Sequence, residues 1–247
     1  MAGHSKWANI QHRKGRVDAA RGKLWSKMSK AIIVAAQSGG GDPSANFKLR
    51  KAIDDAKAIS MPKDNIERAI KRGTGELGGD RVEEVVYEGY GPGGVAIMCE
   101  SMTDNRNRTA PELRSLFSKL GGELGKTGCV SYLFERKGLF VFPADQVDED
   151  QITEVALENG GEDVETTDDG KLQVTAAPDG YQSLAEAFES AGLEAEVKEV
   201  TLIPQTMVDV DETTGKKVMR LLEQLDEHDD VQNVSTNLNI TDDLLEN

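Results

Sequence analysis

The chain has 247 residues, 38% of them apolar and 30% charged, enough to bury a sizeable core and too apolar for wholesale disorder. No run of 18 apolar residues occurs, and the segment MAGHSKWANIQHRKG has no apolar stretch behind its charges, so neither a membrane span nor a secretion signal is expected and the protein is read as cytoplasmic. Cys99 and Cys129 form no C-x-x-C pair and only three histidines accompany them, which predicts reduced thiols and no metal or other cofactor.

The formal net charge of -15 conceals two parts of opposite sign. Residues 1–75 carry 16 Lys/Arg against 6 Asp/Glu, a net of +10, and residues 76–247 carry 13 against 38, a net of -25. A basic end on an acidic body docks on a polyanion in one orientation only, because the body is repelled wherever the basic part is attracted. That balance points to nucleic acid as partner and away from a membrane or a small-molecule substrate.

The N-terminal segment sets Lys6, Arg13, Lys14 and Arg16 with His4 and His12 around Trp7, and no acid precedes Asp18. Phosphate attraction and a ring able to stack on a base are thereby combined, in an arm to be ordered by its partner. From Val17 to Ser38 the residues Val17, Leu24, Met28, Ile32 and Ala35 recur at helical spacing and predict a core-facing stripe. Lys23, Lys27 and Lys30 form a second, basic stripe on the same helix, with phosphate as its expected contact.

Gly39-Gly40-Gly41 stops this helix, and Asp42-Pro43 is expected to restart the chain as N-cap and first helical residue, with Leu49, Ile53 and Ala56 inward. A third helix begins near Pro62, turns Ile66, Ala69 and Ile70 inward and ends at Gly73. The Gly-Gly-Gly-Asp hinge separates the first two helices, so no pair with the short turn of a helix-turn-helix is expected.

The period then changes. Val82–Glu88 and Val95–Ser101 read as a hairpin across a Gly- and Pro-rich connection, followed by a helix around Pro111–Leu120 that Thr109 would cap. Arg106 and Arg108 ahead of it either pair with the abundant acids or give a second nucleic-acid contact. Residues 130–203 show the order β-α-β-β-α-β of a ferredoxin-like unit. The tail, read as a strand at Gln205–Val210, a helix at Thr214–His228 and a strand at Val231–Thr236, lacks a partner half, as do residues 79–129. The predicted class is α+β in three domains: a basic helical domain over 1–78, a discontinuous domain from 79–129 and 204–247, and the inserted ferredoxin-like domain over 130–203.

Three motif-like strings fail on context. Gly89-x-Gly91-x-x-Gly94 leads into an apolar run rather than an amphipathic helix, Gly125-Lys126-Thr127 has Leu120 where a P-loop needs glycine, and the many carboxylates have no neighbour that singles one out. No catalytic site is expected.

MAGHSKW, GGGDP, the run from Met61 to Ile66 with Arg68-Ala69-Ile70, YEGYGPGGVAI and DNRNRT together resemble the YebC/PmpR family, which includes the mitochondrial translational activator of cytochrome c oxidase. The resemblance implies an N-terminal helical domain, two α+β domains and cytoplasmic nucleic-acid binding. The implied activity is either that of a translation factor on ribosomes stalled at proline-rich sequences or that of a transcriptional regulator at promoter DNA. In the translation reading Gly3, His4, Ser5, Lys6 and Trp7 would form a loop approaching ribosomal RNA near the peptidyl-transferase centre, with Arg13, Lys14 and Arg16 on backbone phosphate. A Trp-bearing basic arm suits unpaired bases better than duplex DNA, which favours ribosomal RNA.

Overall fold

A computed structural model describes residues 21–143, 148–167 and 170–245 and shows a mixed α+β fold with two four-stranded sheets. The described residues divide into two compact units, 21–130 with 213–234, and 131–212 with 235–245.

The first unit opens with three helices, α1 (Arg21–Gly39), α2 (Phe47–Ala58) and α3 (Lys63–Gly73). Ile32 and Ala35 of the predicted stripe are buried, and Ile33 and Ala36 join them against Leu49, Ile53, Ala56, Ile66 and Ala69. Close approach of α1 and α3 explains Gly73, where a Cβ would stand 2.6 Å from both the Ile33 carbonyl oxygen and the Ala36 Cβ.

Helix α2 starts later than Asp42-Pro43 suggested. The Asp42 carboxylate accepts from the Ser44 N–H at 2.8 Å and makes a turn, whereas Asn46 is the N-cap. Its Oδ1 accepts from the Leu49 N–H at 3.1 Å while its amide donates to the carbonyls of Ala35 and Gly40, both at 2.8 Å. Asparagine thus serves the end of one helix and the start of the next, which an acceptor-only aspartate cannot. Residues 59–62 alone link α2 to α3, with Ser60 left-handed at φ 58°, so a helix pair with a four-residue connection is present after all.

Next come β1 (Glu83–Tyr90) and β2 (Ala96–Thr103), paired antiparallel from Glu83 opposite Thr103 to Tyr90 opposite Ala96. Gly93 and Gly94 take φ of 75° and 78° in the connection, and Gly89 lies where a Cβ would be 2.5 Å from the Glu123 carbonyl oxygen. Turn geometry and strand approach therefore account for these glycines. Helix α4 (Arg106–Lys119) begins five residues before Pro111, because the Asn105 side chain accepts from the Arg108 N–H and fixes the start. Thr109, expected as the cap, is instead a fully buried residue of the second turn. A short β3 (Glu123–Leu124) follows and pairs with β1.

The second unit runs β4 (Phe134–Phe142), α5 (Glu149–Glu158), β5 (Gly161–Thr166), β6 (Leu172–Ala176), α6 (Tyr181–Ser190) and β7 (Val197–Pro204). Its sheet order, β5-β6-β4-β7 with antiparallel pairs, is the ferredoxin-like one that the order of elements predicts. Alternation along β4 sends Phe140 and Phe142 toward the helices, where Phe140 stacks on Tyr181 with ring centroids 5.0 Å apart and Phe142 meets Phe188 edge-on at 4.8 Å. Leu139, Val141, Val197 and Ile203 form a separate buried cluster.

The expected strand at Gln205–Val210 reduces to a single bridge, Val208 with Leu238, while just past Pro204 the Gln205 N–H donates to the Leu133 carbonyl at 2.9 Å. Helix α7 (Glu212–Asp226), strand β8 (Val231–Thr236) and a terminal turn of helix, α8 (Asp242–Leu245), complete the chain. Strand β8 lies beside β2, giving the first sheet the order β3-β1-β2-β8. No helix among the described residues is long and apolar enough to cross a membrane.

Gly73→Ala tests the α1–α3 contact. Because the clash is with backbone, overpacking should cost about 1–3 kcal/mol, read as a lower urea midpoint at constant m; an unchanged midpoint would mean the helices separate freely.

Candidate functional site

Of the residues that the sequence nominates, Gly3, His4, Ser5, Lys6, Trp7, His12, Arg13, Lys14 and Arg16 lie outside the described residues. The others fall in the first unit, and their surroundings differ from expectation. The stripe Lys23, Lys27 and Lys30 faces the C-terminal end of α7 and the turn after it. Lys23 donates to the Glu227 carbonyl at 3.2 Å, Lys27 to the carbonyl and carboxylate of Asp226, and Lys30 to the Asp229 carbonyl at 2.8 Å. Helix α7 has no basic residue in its last turn, so α1 supplies the cations that its unpaired carbonyls and dipole favour, each worth about 0.3–1 kcal/mol.

Lys30 also pairs with Asp230, whose side chain is only 2% exposed. Around that carboxylate converge Arg108, at 3.0 and 2.7 Å to its two oxygens, the Thr109 hydroxyl at 2.6 Å and the Thr103 hydroxyl at 3.3 Å. The Asp230 backbone carbonyl accepts from Met102 N–H of β2 at 2.8 Å. Burial alone raises a carboxyl pKa, but the hydrogen bonds from Lys30, Thr109 and Arg108 overcome it and hold Asp230 well below the usual carboxylate range. Arg106 is likewise engaged, in an ion pair with Glu83. Of the two roles open to Arg106 and Arg108, both take the acid pair.

A cleft of about 760 Å³ opens beside this cluster. Four Lys/Arg and five Asp/Glu line it, so its charge opposes rather than attracts a phosphate. Glu112, His228 and Asp230 bring ligand-type atoms within 4.8 Å of one another. His228 accepts from the Asp230 N–H through Nδ1 at 3.1 Å, which leaves its Nε2–H to donate to Glu112 at 3.0 Å. With Asp230 already neutralised by two cations, a metal ion there would have to displace Lys30 and Arg108, and the donor set does not suit one. Both thiols are free, Cys99 buried and Cys129 half-buried, and burial pushes each pKa up, which disfavours the thiolate.

Within residues 22–75 the cations that face outward belong to α2 and α3. Lys48, Arg68 and Lys71 are exposed and, among the described residues, carry no ion pair. Lys51, Lys57 and Lys63 make only exposed pairs with Asp55, Asp54 and Glu67 one helical turn away. Among them stands Phe47, the first residue of α2, 42% exposed, with the Arg50 guanidinium 5.5 Å from its ring centroid. Sequence reasoning passed over Phe47, although its offset from the stripe Leu49, Ile53 and Ala56 was a signal that it faces away from the core.

The comparisons with known proteins agree across the chain. A family model described as "TACO1/YebC protein N-terminal domain" matches residues 5–76, and one described as "TACO1/YebC second and third domain" matches residues 82–238. A protein of Rhodopirellula baltica is 72% identical over 97% of both chains, and one of Maridesulfovibrio salexigens 53% identical over 99% of this chain and 98% of its own; each bears the name "probable transcriptional regulatory protein". The crystal structure of a conserved hypothetical protein from Aquifex aeolicus is 48% identical and superposes with a TM-score of 0.85 over 98% of this chain and 100% of that one.

Asp230→Asn should destabilise the protein by about 2–3 kcal/mol at neutral pH, below the full cost of breaking a buried pair because Lys30 and Arg108 keep some water. The depressed folded pKa fixes the pH dependence: the contribution is fully present above the unfolded carboxyl value of about 3.9 and is lost as pH falls from there toward the folded one. Melting curves between neutrality and pH about 2 should therefore converge for parent and variant. A constant gap between them would remove Asp230 as the acid-sensitive group.

Proposed function

The chain belongs to the TACO1/YebC family, and from that premise we propose that it is a cytoplasmic, non-enzymatic, nucleic-acid-binding regulator of gene expression. The observation that carries the reading is the division of charge. A net of +10 over residues 1–75 adjoins -25 over the remainder, and within residues 22–75 the cations left facing outward are on α2 and α3. The regulatory names of the relatives support the same role.

More finely, we propose that the target is RNA on the ribosome and that the protein relieves stalling at proline-rich sequences. Trp7 with Lys6, Arg13, Lys14 and Arg16 suits unpaired bases, which folded RNA offers and duplex DNA does not. One observation favours the second reading, a regulator at promoter DNA: the four-residue link between α2 and α3 has the length of a helix-turn-helix turn. Crosslinking followed by fractionation of a lysate separates the two. Sedimentation with ribosomes is expected, and recovery with promoter DNA instead would overturn the RNA reading.

Two variant sets probe the contact itself. Replacing Lys48, Arg68 and Lys71 together by glutamine should flatten the slope of log K against log salt by about two units, if each meets one phosphate of a single strand. The same replacement of Lys23, Lys27 and Lys30 should instead lower the melting temperature, since their partners are internal. Trp7→Ala should leave the melting temperature unchanged while costing about 1–3 kcal/mol of RNA binding, the range for an aromatic–base stack. A large loss of stability with binding intact would make Trp7 a core residue.

A further inference from the structure

Among the described residues Phe47 is one of five large apolar side chains that stand exposed, and it is set among cations. Lys48 follows it directly, and Arg50 and Lys51 lie three and four positions on, which brings both to its own side of the helix. Burial does not explain the ring, since α2 packs through Leu49, Ala52, Ile53 and Ala56. Nor is it loosely held. The buried Asn46 side chain makes three hydrogen bonds at the base of the helix, and Arg50, lying over the ring, donates to the Pro43 carbonyl at 3.1 Å.

A planar, partly solvated aromatic surface backed by a guanidinium, with lysines one and four positions further along the helix, has the chemistry of a base-stacking platform: the cations take phosphates and the ring takes the face of an unpaired base. Duplex DNA, its bases already stacked, gives such a ring nothing to bind. We infer that Phe47, with Arg50 and the flanking Lys48 and Lys51, forms a stacking site for an unpaired base of single-stranded RNA. The site uses residues other than those of the N-terminal segment and rests on the nucleic-acid reading above.

Binding of the full-length protein to a short oligouridylate, and to the same strand made abasic throughout, tests it. Phe47→Leu keeps an apolar side chain but removes the flat face. It should weaken oligouridylate binding about ten-fold, leave abasic-strand binding unchanged and leave the melting temperature at the parent value. Phe47→Trp should restore binding and show its emission quenched when the base-bearing strand is added. Parent-like oligouridylate binding by Phe47→Leu would overturn the stacking site while leaving the nucleic-acid reading standing. Equal losses on both strands together with a lower melting temperature would overturn it too, by making Phe47 a packing residue. Failure of the parent to bind either strand would overturn the underlying reading and the site with it.

Discussion

The first unit is organised around one buried carboxylate. Asp230 sits in the turn between α7 and β8, yet the groups that make its burial tolerable come from α1, α4 and the end of β2, which are distant in sequence. A carboxylate out of water is costly unless its oxygens are filled with donors, and here two cations and two hydroxyls fill them. Because the donors come from three elements, the side chain is satisfied only when the helical layer, α4 and the first sheet are all in place. The lysine stripe extends the same logic. Seven residues of helix span about 10 Å, enough for Lys23, Lys27 and Lys30 to follow the row of carbonyls from Asp226 to Asp229.

This arrangement sorts the basic residues into two populations with different energetics. Lys27, Lys30 and Arg72 are committed to carboxylates within the unit, and releasing Lys30 to an external phosphate would leave Asp230 with Arg108 alone as its cation. Lys51, Lys57 and Lys63 are paired as well, but with exposed partners one turn away, where an ion pair contributes roughly 0–1 kcal/mol and a phosphate is an easy exchange. Formal charge therefore overstates what the basic end offers a partner, and the surface that remains lies on α2 and α3.

The sequence made the fold legible wherever the signal was local. The spacing of Ile32 and Ala35 and the β-α-β-β-α-β order each depend on near neighbours. It misled where the deciding partner was distant. Helical periodicity shows that Lys23, Lys27 and Lys30 share a face, but not whether that face meets water or a row of carbonyls some 200 positions away. The same blindness moved two helix starts. Asp42 and Thr109 are good caps by type, yet Asn46 and Asn105 hold the positions, and Thr109 is drawn inward by Asp230. Of the candidate site, the basic character of residues 21–75 could be read in advance, whereas its outward half became visible only once the inward lysines were accounted for.

That subtraction bears on the proposed recognition of nucleic acid by this unit. If the Lys23, Lys27 and Lys30 stripe were the contact, a groove-following row of ammonium groups would read only backbone charge, and any polyanion would serve. With the stripe turned inward, the outward surface combines scattered cations with an aromatic ring, and these act through different physics. Ammonium groups gain from counterion release, which salt erodes, while a stacked ring gains from contact with a base face, which salt affects little. Under the proposed nucleic-acid reading, such a surface would discriminate by whether bases are unpaired, without a hydrogen-bond code for their identity. The Asp230 cluster ties α1 to the first sheet, so the helical layer that carries the cations presents itself on a fixed framework.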